Sequence, residues 1–261
     1  MDKNEFNGGT YVVGDIHGCY KEWMELKNRI ESLDNKAKFI LVGDIIDRGP
    51  DTVKMIDWAM KNITADGKYQ MVIGNHEFEK TLMWDRYYAP VARYAKNDLI
   101  KTKDMTFDRY EFCKTLEESG RTWSFLREFL YWCEKLPFIK DIRVNGFRFI
   151  IAHANIPYSV IDCNTHEIRQ PINYKEKDFI TFDRDCGDFD KIPNAMLIHG
   201  HNASVFEDSF PINMDITEED LGKIIYTENR ANIDCGLVYK QYGRNGNLAA
   251  IRLDDLEEFY L

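Results

Sequence analysis

The 261-residue chain contains 44% hydrophobic and 13% aromatic residues, enough to bury a large core without disulfides or a structural metal. Its six cysteines are widely spaced, so neither a disulfide framework nor a zinc ribbon is expected. The first residues lack a basic and apolar leader, and no apolar run could span a bilayer. We therefore expect one soluble, cytoplasmic domain, and the formal net charge of -10 argues against membrane and nucleic acid as partners.

Short apolar runs alternate with helix-like stretches along the chain, which is typical of a layered α/β domain. The first three runs occupy residues 11–13, 39–42 and 71–73. Plausible crossover helices lie between them at residues 20–32 and 51–61, the second opened by proline and aspartate. This βαβαβ spacing predicts three neighbouring parallel strands.

From residue 78 to residue 137 the pattern becomes mostly helical. We expect this segment to be a helical cap inserted within the single domain. The supporting apolar residues recur at helical intervals: Trp123, Leu126, Phe129, Leu130 and Cys133.

The remaining chain continues the alternation of strands and connections. Apolar runs at 149–152 and 196–198 predict two more strands, while residues 155–193, rich in proline, asparagine and charge, predict long loops of the kind that hold substrates. The last two runs, 232–236 and 248–253, predict two closing strands around a glycine-rich turn.

Polar residues with metal-ligand chemistry follow the first three runs. Asp15 and His17 are two residues apart, so on an extended segment their side chains point the same way. Asp44 offers a carboxylate and Asn75 a neutral carbonyl, while the adjacent His76 projects differently and is better suited to proton transfer. Because loops beyond the carboxyl ends of strands converge on one edge, these residues can meet there.

Two further histidines, His153 and His201, follow the later runs. Imidazole combined with carboxylate and amide oxygens suits Mn, Fe or Zn rather than Ca. Each residue also has a simpler interpretation: Asp15 as a helix cap, Asp44 in an ion pair at a strand end, and each histidine as structural. The metal interpretation is favoured because all of these candidate ligands occur together in one chain.

The motif series G-D-x-H-G, G-D-x-x-D-R-G, G-N-H-E, H and G-H resembles the PPP family of metallophosphoesterases over nearly the whole chain. The resemblance implies a metallophosphoesterase-type β-sandwich flanked by helices. It also implies two divalent metal ions, with manganese expected first and iron or zinc as alternatives. The matching ligands are Asp15, His17 and Asp44 for the first ion, and Asp44, Asn75, His153 and His201 for the second.

The resemblance also implies roles around the substrate phosphate. His76 with Asp47 matches a general acid and its orienting carboxylate, and Arg48 matches a phosphate-binding arginine. Arg184 is the best candidate for a second such arginine, with Arg169 as its rival. The implied reaction is direct attack by a hydroxide that bridges the two metals.

Residues 118–123 and 232–236 are similar to segments of bacterial and bacteriophage-type Ser/Thr protein phosphatases and of the related symmetrical dinucleoside tetraphosphate hydrolases. We therefore expect a protein phosphatase acting on a phosphorylated protein or a small phosphoester. A symmetrical bis(5'-nucleosyl)-tetraphosphate hydrolase is the alternative. A non-catalytic scaffold of the same fold would predict eroded ligands, and the proposed ligands are intact.

Overall fold

The computed structural model describes residues 8–83, 107–187, 189 and 192–261. Within this part of the chain, strands form two five-stranded sheets. In the first sheet the order is 10-9-1-2-3 in chain numbering. Its strands are β1 (Thr10–Val13), β2 (Lys38–Leu41), β3 (Tyr69–Met71), β9 (Ala249–Arg252) and β10 (Glu258–Tyr260).

Strands β1, β2 and β3 run parallel, with Val13 opposite Leu41 and Leu41 opposite Met71. This confirms the predicted βαβαβ arrangement. Strands β9 and β10 complete the sheet in antiparallel pairing on the other side of β1.

The second sheet has the order 4-5-6-8-7. Its strands are β4 (Ile139–Val144), β5 (Phe147–Ala152), β6 (Ala195–His199), β7 (Ile225–Tyr226) and β8 (Arg230–Asn232). The central strands β5, β6 and β8 are parallel, and β4 and β7 are antiparallel edge strands.

Six α-helices occur in the described ranges, and the two predicted crossover helices are both present. They are α1 (Tyr20–Leu33), α2 (Thr52–Asn62), α3 (Asn75–Met83), α4 (Phe107–Glu118), α5 (Trp123–Cys133) and α6 (Tyr174–Phe182). None of these helices is both long and apolar enough to cross a membrane.

Successive side chains along a strand point to opposite faces of its sheet and therefore join different apolar layers. In β1, Val12 joins a buried apolar cluster that also contains Ile151 and Ile198 of the second sheet. Tyr11 and Val13, whose side chains point to the opposite face, join the helices α1, α2 and α5 in another cluster. The second sheet packs its own outer face against α6. The fold is therefore the expected β-sandwich flanked by helices.

The predicted insertion is helical where the structure describes it. The five apolar residues predicted at helical intervals are all buried on α5, and they belong to the same apolar cluster as α1. Residues 84–106 of the predicted 78–137 insertion lie outside the described residues. The single domain and the cap remain predictions.

Two details of the sequence interpretation were wrong. The two closing strands do not pair with each other, because β8 lies in the second sheet and β9 in the first. Hydrophobic alternation indicates a strand but does not identify its neighbour. The region predicted as long loops contains α6, which begins with a capping box between Asn173 and Glu176. The six cysteines all lie in the described ranges, and none of them forms a disulfide, as expected.

Candidate metal centre

The predicted ligands meet at one edge of the sandwich. Asp15, Asp44 and Asn75 follow the carboxyl ends of β1, β2 and β3, while His153 and His201 follow β5 and β6. Parallel strands direct their carboxyl ends to the same edge, so residues far apart in sequence become neighbours. His153 Nδ1 lies 2.8 Å from the carbonyl oxygen of Val42. This contact joins the segment after β5 in the second sheet to the segment after β2 in the first.

Asp44 lies at the centre of this group. Its Oδ2 atom is 3.6 Å from His17 Nε2, 3.8 Å from His76 Nε2 and 3.4 Å from His153 Nε2. Two groups of potential ligand residues therefore share Asp44. Within each group, the potential ligand atoms all lie within 4.8 Å of one another. One contains His17 and His76, and the other contains His153 and His201. If two neighbouring cations bound here, Asp44 would be available to both of them.

Asn75 also lies among these groups, although it is the first residue of α3. Its Oδ1 atom is 2.9 Å from His153 Nε2 and 3.0 Å from His201 Nδ1. The amide oxygen is thus directed to the same place as both imidazoles, as a ligand would be.

Asp15 is buried against the loop that carries His201. Its Oδ2 atom accepts a hydrogen bond from the His201 backbone N–H at 3.2 Å. Gly200 permits this approach, because a Cβ atom there would lie 2.0 Å from Asp15 Oδ1. The loop therefore packs directly against the carboxylate.

The backbone of the site is locally strained. Nine residues other than glycine have positive φ in the part of the chain that the structure describes. Five of them are site residues: His17, Asp44, Asp47, Arg48 and His201. Residues with side chains adopt this region at an energetic cost, and such strain is concentrated at functional sites.

The first histidine, His17, is held in a defined tautomer. Its Nδ1 atom is 2.9 Å from the carbonyl oxygen of Ile46, which needs a donor, so Nε2 carries the lone pair. Arg48 Nη1 lies 2.7 Å from that nitrogen and donates to it. Burial, with the nearby Arg48 charge, lowers the pKa of His17 to about 3. A metal ion held by His17 Nε2 would therefore compete with Arg48 for this lone pair.

The second group has a different charge state. Burial lowers the pKa of His153, but the Asp44 carboxylate outweighs it and raises that pKa to about 10. Burial and the neighbouring His153 lower the pKa of His201 to about 3. Burial also opposes ionisation of Asp44, but the surrounding histidines, led by His153, hold its pKa well below the usual range.

Two buried carboxylates of the site, those of Asp15 and Asp234, have raised pKa values. Burial and the neighbouring Asp234 raise the pKa of Asp15 well above its usual value. Burial raises the pKa of Asp234 to about 6. A divalent cation would favour the charged form of such carboxylates. The set of carboxylate, imidazole and amide donors therefore fits metal ions of the Mn, Fe or Zn type.

His76 lies beside the ligands with a carboxylate behind it. Its Nδ1 atom is 2.6 Å from Asp47 Oδ2, so Nδ1–H donates to the carboxylate and Nε2 faces Asp44. Burial lowers the pKa of His76, but Asp44 and Asp47 together raise it above its usual value. Burial would raise the pKa of Asp47, but Lys80 and His76 lower it. This arrangement can hold and release a proton.

The structure separates the two candidate arginines. Arg184 Nη1 donates to Asn202 Oδ1 at 3.1 Å, and Asn202 is the neighbour of His201. Arg169 instead forms an ion pair with Glu176 at 2.6 Å and donates to the carbonyl oxygen of Ser159. The geometry therefore favours Arg184 as the arginine beside the site.

Sequence reasoning missed three residues that build the site: Glu77, Lys80 and Asp234. Glu77 is buried and accepts hydrogen bonds from the Ile45 and Gly74 backbone N–H groups at 3.0 and 3.1 Å. Its position in the G-N-H-E motif was a usable signal. Asp234 lies in the segment 232–236 that carried the family resemblance, which was also a usable signal. Lys80 gave no such signal, because its burial next to the site depends on tertiary packing.

The sequence is similar to those of known phosphoesterases. The family model for calcineurin-like phosphoesterases matches residues 10–243. A symmetrical bis(5'-nucleosyl)-tetraphosphatase from Wigglesworthia glossinidia brevipalpis is 26% identical over 237 residues, covering 89% of this chain and 73% of the relative. The corresponding enzyme from Methylobacillus flagellatus is 36% identical over 107 residues, covering 41% of this chain and 36% of the relative.

Coverage of other relatives is shorter. The match to the symmetrical bis(5'-nucleosyl)-tetraphosphatase of Proteus mirabilis is 28% identical and covers 36% of this chain. It spans 34% of the length of that relative. The chain thus spans about a third of the length of the first curated relatives that it matches.

Solved structures share the fold. A protein serine/threonine phosphatase from Saccharomyces cerevisiae, similar to human phosphatase PP5, aligns with a TM-score of 0.60 at 13% identity. That alignment covers 98% of this chain and 79% of the yeast chain. A candidate diadenosine tetraphosphatase aligns with a TM-score of 0.55 at 16% identity, covering 100% of this chain and 95% of the other.

Proposed function

Since the chain belongs to the calcineurin-like phosphoesterase family, we propose that it is a metal-dependent Ser/Thr protein phosphatase. The observation that carries this proposal is the His76–Asp47 pair, whose 2.6 Å contact lies at the edge of the ligand group. A serine or threonine alkoxide is a poor leaving group, so its departure benefits from a positioned proton donor. The general class, a hydrolase of phosphate esters, follows from the family.

Six residues would hold two divalent ions in the proposed enzyme, with manganese expected first. When bound, the ions would activate water and polarise the phosphoryl oxygens. Asp15, His17 and Asp44 would hold one ion. The second would be held by Asp44, Asn75, His153 and His201.

The other side chains would act on the substrate directly. Arg48 and Arg184 would bind phosphoryl oxygens, because a guanidinium offers paired donors that match them. His76 would donate the proton on Nε2 to the departing oxygen. Asp47 would accept from Nδ1–H and keep the imidazole in the orientation that this transfer needs.

A symmetrical dinucleoside tetraphosphate hydrolase is the second candidate. It is favoured by the names of the curated relatives and by aromatic side chains beside Arg48. The Arg48 guanidinium lies 5.9 Å from the centre of the Tyr239 ring, and Tyr242 is exposed near Tyr239. Such rings could stack on a nucleobase. A nucleotide phosphate, however, departs readily without a proton donor.

A side-by-side turnover assay tests the assignment. The full chain, supplied with Mn, would be assayed on a phosphoserine peptide, a phosphotyrosine peptide and diadenosine tetraphosphate. The proposal predicts the highest kcat/KM on phosphoserine. Preferred cleavage of diadenosine tetraphosphate to two ADP molecules would contradict it and favour the second candidate. Asp44→Asn, purified in parallel, excludes a contaminating phosphatase.

A further inference from the structure

Lys80 is a lysine in an unusual environment. It is fully buried, although lysine is rarely buried without a charged partner. Its Nζ atom lies 2.9 Å from Asp47 Oδ2. It also lies 5.3 Å from the centre of the Phe112 ring on α4, so an aromatic side chain packs beside the charge.

The position of Lys80 on α3 explains how it reaches Asp47. Lys80 follows His76 by four residues, and residues with this spacing lie on the same face of a helix. Both side chains contact the same atom, Asp47 Oδ2, at 2.6 Å from His76 Nδ1 and 2.9 Å from Lys80 Nζ. One carboxylate oxygen therefore connects a buried cation to the imidazole.

Asp47 needs such support. It is in a left-handed backbone conformation, with φ of 66°, in the turn that also carries Arg48. Its carboxylate is largely buried, and a buried carboxylate without a compensating charge is costly. His76 supplies a hydrogen bond, and Lys80 supplies a fixed charge behind the same oxygen.

We propose that Lys80 is a positioning residue for proton donation by His76, because it holds the Asp47 carboxylate in the place from which that carboxylate orients the imidazole. The inference rests on the proposed role of His76 as general acid. It does not depend on whether the natural substrate is a phosphoprotein or a nucleotide.

A purely structural ion pair would behave differently. Its loss would lower stability or slow all substrates alike, because misfolding and metal loss do not distinguish leaving groups. A positioning role predicts a loss that grows with leaving-group basicity. The dependence on the leaving group therefore separates the two explanations.

The first experiment measures this dependence in Lys80→Met. A series of phosphate monoesters from para-nitrophenyl phosphate to alkyl phosphates would be hydrolysed by the Mn-loaded protein. We expect a loss of about 10- to 100-fold on alkyl esters, smaller than the full contribution of a positioned acid, and little loss on para-nitrophenyl phosphate. Glu79→Gln is the matched control, since Glu79 lies 3.9 Å from Lys80 Nζ and is partly exposed. It should retain the wild-type dependence.

A double-mutant cycle tests whether Lys80 acts through Asp47. If it does, Lys80→Met should reduce the rate by less than about threefold in an Asp47→Asn background. If the rate loss of the double variant on alkyl esters equals the product of the losses in the two single variants, the proposal is overturned. An equal loss on all esters in Lys80→Met with metal content intact would also overturn it.

A spectroscopic measurement keeps the test independent of activity. In a proton–nitrogen NMR correlation of the imidazole rings, the Nδ1–H signal of His76 should shift in Lys80→Met and remain in place in Glu79→Gln. Should Lys80→Met fail to fold, Lys80→Arg retains the cation and is expected to preserve the alkyl-ester rate better than Lys80→Gln. An unchanged His76 signal would contradict the proposal. Inactivity on phosphopeptides with the predicted ester dependence would contradict the proposed substrate alone.

Discussion

The buried carboxylate of Glu77 accepts the backbone N–H of Asp44 at 2.9 Å. The same Oε2 atom accepts the Gly74 N–H, and Oε1 accepts the Ile45 N–H. The loop after β2 and the turn before α3 are thereby fixed to each other. Asp44, the carboxylate shared by both ligand groups, depends on this connection for its position.

Glu77→Gln should therefore weaken metal binding although Glu77 is not itself a ligand. The amide keeps one acceptor oxygen and turns an NH₂ group toward a backbone donor, which leaves buried N–H groups unsatisfied. We expect a loss of about 1–3 kcal/mol in the free energy of unfolding, measured by urea denaturation, together with lower metal affinity. Glu79→Gln, on the same helix, is the control and should change neither. Unchanged stability and metal affinity in Glu77→Gln would show that these hydrogen bonds are dispensable.

Asp44→Asn should abolish turnover and reduce bound metal together. Asp44 is the residue common to the two groups of potential ligands, and its negative charge would hold two cations close to each other. Elemental analysis and a phosphatase assay on the same preparation measure both effects. Asp66→Asn, at an exposed loop position, should retain both properties. Full metal content with a near-normal rate in Asp44→Asn would contradict the shared role.

His76→Asn should retain both metals and lose rate in proportion to leaving-group basicity. The expected loss on a phosphoserine peptide is roughly 10²–10⁴-fold, the usual contribution of a positioned acid. The loss on para-nitrophenyl phosphate should be much smaller. Equal losses on both substrates, with metal content intact, would mean that His76 positions water or phosphate instead.

Arg48→Ala provides the contrasting case. Arg48 would bind phosphoryl oxygens that all phosphate monoesters share, so its loss should reduce kcat/KM by a similar factor on a phosphoserine peptide and on para-nitrophenyl phosphate. Steady-state kinetics on both substrates measure this. A loss confined to the peptide would assign Arg48 to the leaving group or the peptide chain.

Metal uptake should release a proton near neutral pH. In the metal-free protein the Asp44 carboxylate overcomes burial and raises the pKa of His153 to about 10, so His153 is protonated at pH 7 to 8. A ligating imidazole must be neutral, so binding displaces this proton, and the contribution disappears as the pH rises above about 10. Calorimetric titration with Mn at pH 7.5, in buffers of different ionisation enthalpy, measures the release. Identical enthalpies in all buffers would contradict the prediction.

Chelation should abolish activity, and added Mn should restore it, because the proposed nucleophile depends on bound ions. The protein would be treated exhaustively with EDTA, checked by elemental analysis and assayed before and after Mn is added. Phosphatase activity in protein shown to be free of metal would sink the metal-dependent mechanism.

The sequence by itself determined the elements that carry the site. Apolar runs before Asp15, Asp44 and Asn75 indicated strands, and the helices predicted between them favoured parallel pairing, which the structure confirms. Parallel strands send the residues that follow them to one edge, so local pattern was sufficient to predict that these side chains meet. The order of the motifs then indicated the family.

Only the tertiary structure shows which sheets the closing strands join and which buried side chains hold the site residues in place. Alternation could not show that β8 and β9 enter different sheets, because a strand pattern specifies which face is buried and not which neighbour binds. Spacing likewise could not show that Lys80 is buried against Asp47, since the two residues are 33 positions apart and lysine is usually exposed. Burial holds the Lys80 ammonium next to the Asp47 carboxylate, and this burial exists only once the helices and loops have packed.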